Sequence, residues 1–158
     1  MRAALYIRVS TDEQVKEGYS IESQLNILSA WSIVKGCEIA DRYIDDGYSA
    51  KNMNRPAMKR LLADCEAGLI DAVVVWRLDR LSRSLRDIVS TVDDVFRAKN
   101  IEFISTTESI DTSSTAGRLV LNILASVAQN EREINEERVR MVSMELASMC
   151  IHMGGVPP

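Results

Sequence analysis

A serine and a series of arginines are the residues in this chain with the chemistry to act on a phosphate. Arg8 and Ser10 stand two apart in YIRVS (residues 6–10), so on a strand they share a face. A serine so placed can serve as a nucleophile and the nearby arginine can neutralise an oxyanion, although a hydroxyl at a strand end is also a common turn or cap former. The segment WRLDRLSRS (76–84) spaces Arg77, Arg80 and Arg83 by three, which one helical turn would bring near one face; Arg86 continues the series. A charge run of this kind is usually a solvated helix face. Guanidiniums converging on one point, however, repel unless an anion lies between them, and arginine is suited to bidentate phosphate contacts. Arg55, in NRPAMKRLL, opens a further helix behind a loop that carries Ser49. A serine and several arginines, with one histidine in the whole chain, equip a metal-free phosphoryl transfer in which fixed positive charge stabilises the phosphate oxygens. No metal and no cofactor are expected.

The elements that must hold these residues follow from periodicity. Residues 3–9 predict a strand with Ala3, Leu5, Ile7 and Val9 on one face and Ala4, Tyr6, Arg8 and Ser10 on the other. Ser20 can cap a helix carrying Ile21, Leu25, Leu28 and Trp31 at helical spacing, with Gly36 as its stop. A second strand is expected over 38–44, then a turn-rich loop over 45–54, then a helix opened by Pro56 and closed by Gly68. DAVVVW (71–76) suits a strand buried on both faces of a parallel sheet. Leu85, Ile88, Val89, Val92, Val95 and Phe96 predict an amphipathic helix; IEFIS (101–105) predicts a strand, followed by a polar loop. The fold class is therefore α/β, a mainly parallel sheet covered by helices. Arg8 and Ser10, at the C-terminal end of the first strand, and the 76–84 segment, directly after the 71–76 strand, lie at the edge where sites of such sheets gather.

From about Thr115 a long helical pattern runs to roughly Ser148, apolar in its first half and charged in its second. A helix of about 30 residues extends about 45 Å, more than one small domain covers. Leu119, Val120, Ile123, Leu124 and Val127 give it an apolar face, which suggests oligomerisation. The division expected is a catalytic core over 1–115, an oligomerisation helix over 116–148, and a linker beginning over 149–158, where GGVPP is turn-like and extended.

Composition bounds the rest. The chain has 158 residues, 46% hydrophobic and 27% charged, and no apolar run near the roughly 20 residues that span a bilayer. The N-terminus lacks a signal-peptide h-region, so a cytoplasmic protein without membrane contact is expected. Cys37, Cys65, Cys150 and His152 are scattered, poor material for zinc or a disulfide framework. A net charge of −4 argues against strong autonomous DNA binding, so the basic residues must be concentrated or a DNA-binding module must lie elsewhere. No glycine occurs in residues 9–17 and no GxxxxGK[ST] anywhere, which disfavours a nucleotide-binding domain. Asp45 and Asp46 raise a metal-dependent nuclease, but a two-metal site needs more convergent carboxylates. A bare oligomerisation module would leave the arginines idle.

Taken together, YIRVSTDEQ, GYSIESQ, DDGYSAKNMNRPAM, VVVWRLDRLSRS and ESIDTSSTAGRLVLNILASVAQNERE resemble the serine recombinase (resolvase/invertase) family. More narrowly they resemble its large serine integrases and transposon recombinases, over essentially the whole chain. The resemblance implies a site-specific DNA recombinase acting on double-stranded DNA. Ser10 would form a 5′-phosphoserine intermediate before strand exchange and religation, with Arg8, Arg55, Arg80 and Arg83 around the scissile phosphate. Asp79 would orient that cluster or assist proton transfer; the group that takes the Ser10 proton stays open. Gln24, Asp46, Ser49, Arg77, Glu137 and Arg138 match supporting positions. Homodimers pairing into a synaptic tetramer are implied too. One departure stands out: after Arg140 there is no Lys or Arg, and the stretch is apolar and Met-rich where family members generally lie along DNA.

Overall fold

A computed structural model describes residues 1–16, 19–51 and 53–153; the GGVPP segment expected to begin a linker lies outside the described residues. Strand β1 (Arg2–Val9) is buried over nearly its whole length. It pairs in parallel with β2 (Glu38–Asp46) on one side and β3 (Ala72–Val75) on the other, and β3 pairs in parallel with β4 (Glu102–Ser105). The polar loop after β4 supplies a strand that no periodicity announced. This β5 (Ile110–Asp111) is antiparallel to β4 and closes the order β2-β1-β3-β4-β5.

The alternation in β1 sorts its side chains between two cores. Ala3, Leu5 and Ile7 pack with Leu28 of α2 (Ile21–Lys35), whereas Ala4 and Tyr6 pack with Met58 and Leu61 of α3 (Pro56–Glu66). Both helices begin and end for local reasons. The Ser20 hydroxyl accepts from the Ser23 N–H, and Gly36, at φ 67°, closes α2 in the left-handed conformation that glycine adopts without strain. The Arg55 side chain makes no capping bond to α3. Instead Asp45 reaches across from the sheet, its carboxylate accepting from the Ala57 and Met58 N–H groups at 2.9 and 3.1 Å and from the Tyr6 hydroxyl at 2.8 Å. Asp45 and Asp46 thus belong to β2 rather than to a loop. Asp45, buried and committed to a helix end, is not a free metal ligand, and among the described residues no acidic, histidine or cysteine cluster could hold one.

The expected 85–96 helix is irregular. A regular turn, α5 (Leu85–Ser90), follows the one-turn helix α4 (Leu78–Leu81). It then widens into a π segment, Thr91–Phe96, and tightens into a short 3₁₀ turn, Arg97–Lys99. Ile88, Val92 and Phe96 still reach the core. The last helix, α6 (Thr115–Met153), has 39 residues and runs past the expected end at 148. Its root sits against β5 so closely that a Cβ on Gly117 would overlap the Asp111 backbone carbonyl. Leu121 is buried and Leu124 packs against the core, while Leu119, Val120, Ile123 and Val127 are 40% to 59% exposed. The apolar face therefore splits: Leu124 belongs to the fold and the other four predicted residues do not. No helix among the described residues is long and apolar enough to cross a membrane.

Candidate active site

Because β2 and β3 lie on opposite sides of β1, the chain connections diverge at the C-terminal ends of β1 and β3. Such a divergence is the usual ligand position in open α/β sheets. Ser10 follows β1 there, and Arg77, Asp79 and Arg80 follow β3.

The helix α1 (Thr11–Lys16) starts from Ser10, and its first turn is a reciprocal capping box. The Glu13 N–H donates to Ser10 Oγ at 3.3 Å and the Ser10 N–H donates to Glu13 Oε2 at 2.9 Å. The same carboxylate gathers the arginines. Arg8 donates to Oε2 from Nη1 at 3.2 Å and to Oε1 from Nη2 at 3.1 Å; Arg80 Nη1 donates to Oε2 at 3.0 Å and Arg83 Nη2 to Oε1 at 3.3 Å. Burial alone would raise the Glu13 pKa, but the Ser10 N–H and the Arg8 and Arg80 guanidiniums outweigh it and hold the group at about 2. Glu13 is the anion that convergence of these arginines requires, and the residue that reading the sequence missed. Its signal was the Ser-x-x-Glu spacing of residues 10–13.

The arginines are held by backbone carbonyls as well. Arg8, buried at the end of β1, donates to the Tyr48, Asp79 and Arg80 carbonyls at 3.0, 3.1 and 3.3 Å. Arg80, also buried, donates to the Arg8 carbonyl at 3.1 Å and grips the Asp79 carboxylate through Nε and Nη2 at 3.2 and 3.1 Å. Arg55 donates to the Arg80 and Leu81 carbonyls and lies 5.5 Å from the Tyr6 ring centre. Burial, aided by the nearby Arg8 charge, lowers the Arg55 pKa. Its Nε is buried without a hydrogen-bond partner.

Of the other predicted positions, Gln24 is buried and donates to the Arg8 carbonyl at 3.3 Å, its Oε1 unpartnered. Asp46 accepts from Gln14 at 3.0 Å at the exposed rim, and the Ser49 hydroxyl accepts from the Lys51 N–H in the loop behind it. The three-residue arginine spacing does not describe one helix face. Only Arg80 lies inside the single turn of α4; Arg77 precedes it, over the Trp76 ring, and Arg83 follows the extended Ser82. Arg80 and Arg83 nevertheless converge, both donating to the Glu13 carboxylate. Arg83 and Arg86 then line a groove of about 820 Å³ whose far wall is α6, through Arg132, Glu136 and Arg140. Glu137 and Arg138 are exposed on α6 and do not line that groove.

Similarity to known proteins follows the same lines. The family described as "Resolvase, N terminal domain" matches residues 3–148. The serine recombinase gin of Escherichia phage Mu is 37% identical, the match covering 97% of this chain and 71% of that protein. The DNA-invertase of Escherichia phage P1 is 39% identical over 97% of this chain and 74% of its own length. Among solved structures, the N-terminal catalytic domain of TP901-1 integrase superposes with a TM-score of 0.78 at 45% identity, covering 85% of this chain and 98% of that one.

Proposed function

Given that the chain belongs to the serine recombinase (resolvase/invertase) family, enzymes that cut and rejoin DNA at specific sites, we propose that Ser10 is its nucleophile. The observation that carries this reading is the convergence of Arg8, Arg80 and Arg83 on one carboxylate whose other partner is the Ser10 N–H. A site that binds one anion beside a hydroxyl is built to receive a phosphodiester. Ser10 Oγ attacks the phosphorus, the 3′-oxygen leaves as a hydroxyl, and the DNA 5′-end stays on Ser10 as a phosphoserine. The 3′-hydroxyl of an exchanged strand then attacks that ester and frees the serine. Arg8, Arg80 and Arg83 bind the non-bridging oxygens, and the unsatisfied Arg55 Nε is a further donor for the charge that grows on them. Asp79 holds the Arg80 fork in its plane. Gln24 braces the Arg8 backbone from beneath.

Guanidiniums supply the charge stabilisation, so strand cleavage should not depend on a divalent cation. The full-length recombinase, incubated with DNA carrying its sites in excess EDTA, should yield strands whose 5′-ends are blocked by protein. A strict magnesium requirement for the cleavage step would overturn the reading.

The four exposed aliphatic residues of α6 belong to the same proposal. Leu119, Val120, Ile123 and Val127 are already about half covered, so burying the rest against a second copy would contribute roughly 1 kcal/mol per side chain. Dimers on each DNA site, paired into a tetramer for exchange, would cover them. In sedimentation the protein should self-associate at micromolar concentration, and Ile123→Glu with Val127→Glu should give a folded monomer. A wild type that stays monomeric at high micromolar concentration would refute this assembly, as would a double variant that associates equally well.

A further inference from the structure

We propose that Glu13 is a positioning residue whose carboxylate stands in for the scissile phosphate, so that DNA must displace it, and that the displacement releases Ser10. The proposal rests on the reading of the arginines as phosphate ligands. A carboxylate carries one negative charge on two oxygens, as does the non-bridging pair of a phosphodiester. Each Glu13 oxygen receives the donors a phosphate oxygen would need. Oε1 accepts from Arg8 and Arg83; Oε2 accepts from Arg8, Arg80 and the Ser10 N–H. The protein thereby keeps three guanidiniums gathered although Arg8 and Arg80 are fully buried, where unbalanced like charges are costly.

The second half of the proposal comes from the capping box. Ser10 Oγ accepts from the Glu13 N–H, so one of its lone pairs is directed at the helix rather than at a reacting phosphorus. The carboxylate that would leave the arginines also closes the other half of the box. Helix α1 has six residues, too few to hold its first turn by propagation alone. Once phosphate takes the arginines, the box loses its Glu13 side-chain half, the first turn loosens, and the Ser10 hydroxyl becomes free to turn. Anion capture and exposure of the nucleophile are then one event.

Inorganic phosphate is the probe, with melting of the protein followed in sodium phosphate and in sodium chloride at matched ionic strength. Glu13→Gln leaves the arginines without their anion. It should melt lower in chloride and regain about 4 °C at phosphate concentrations about tenfold above its dissociation constant, while the wild type responds at least about tenfold more weakly. Glu13→Asp, with the same charge on a shorter arm, should fold well and show an intermediate phosphate response. Adding Arg83→Gln, an exposed change, to Glu13→Gln should weaken that response. A Glu13→Gln protein that fails to refold in chloride but refolds in phosphate supports the proposal equally. It is overturned if neither Glu13 variant responds to phosphate more than the wild type, or if Arg83→Gln leaves the response unchanged. Trapping the protein–DNA adduct with full-length enzyme separates the two readings. A Ser10-dependent adduct without phosphate rescue makes Glu13 a plain ion-pair partner, and rescue with an adduct that survives Ser10→Ala leaves the anion site but removes Ser10 as nucleophile.

Discussion

Ser10→Ala in the full-length recombinase should reduce the covalent protein–DNA species by at least about four orders of magnitude, the scale on which covalent catalysts lose rate with their nucleophile. Binding of the DNA site should change little, because the arginines are untouched and only one hydroxyl is lost. The structural cost is small and can be checked separately. Ser10 Oγ caps α1 through the Glu13 N–H, so its removal should cost about 1 kcal/mol, a melting shift of only a few degrees in a chain of this size. Denaturing electrophoresis of labelled DNA after incubation measures the outcome. An adduct recovered from the alanine variant in wild-type amount would remove Ser10 from the mechanism.

Arg80→Lys should lower strand cleavage by about 10²–10³-fold, the usual effect of losing a fixed donor to a developing oxyanion. The charge survives this substitution; the geometry does not. Arg80 uses Nε and Nη2 on Asp79 while Nη1 bridges the Arg8 carbonyl and Glu13, a planar arrangement that a single ammonium cannot span. Single-turnover cleavage separates this from binding, which the retained charge should largely preserve. A lysine variant that cleaves at near wild-type rate would reduce Arg80 to a general electrostatic contact.

How much of this was legible in the sequence varies with the range of the interaction. The alternation of β1, the Ser20 cap and the Gly36 stop were readable because each is set by neighbours within four residues. The arginine cluster was readable in part: residue types pointed to a phosphate, but the spacing of three suggested a helix face, whereas α4 stops at Leu81 and Ser82 is extended. Asp45 was misplaced in a loop because its partners, the Ala57 and Met58 N–H groups, lie twelve and thirteen residues further on. Glu13 was passed over because no helix was expected over residues 11–16, so its place in a first turn beside Ser10 did not register. Strand β5 has two residues, too few for any period to register. The division of the α6 apolar face could not be read either, since periodicity says which side chains share a stripe and not what packs against it.

The contact at Gly117 bears on everything further along α6. Its α-carbon rests on the Asp111 backbone, with no room for a methyl group, while Met153 ends the helix 36 residues later. At 1.5 Å per residue that arm is about 54 Å long, so a tilt of about 5° at the seat would sweep its tip through about 5 Å. The aim of the whole arm is thus set by a hydrogen atom where any other residue would carry carbon. A change too small to disturb the sheet would then misalign the two arms of the proposed dimer far from it.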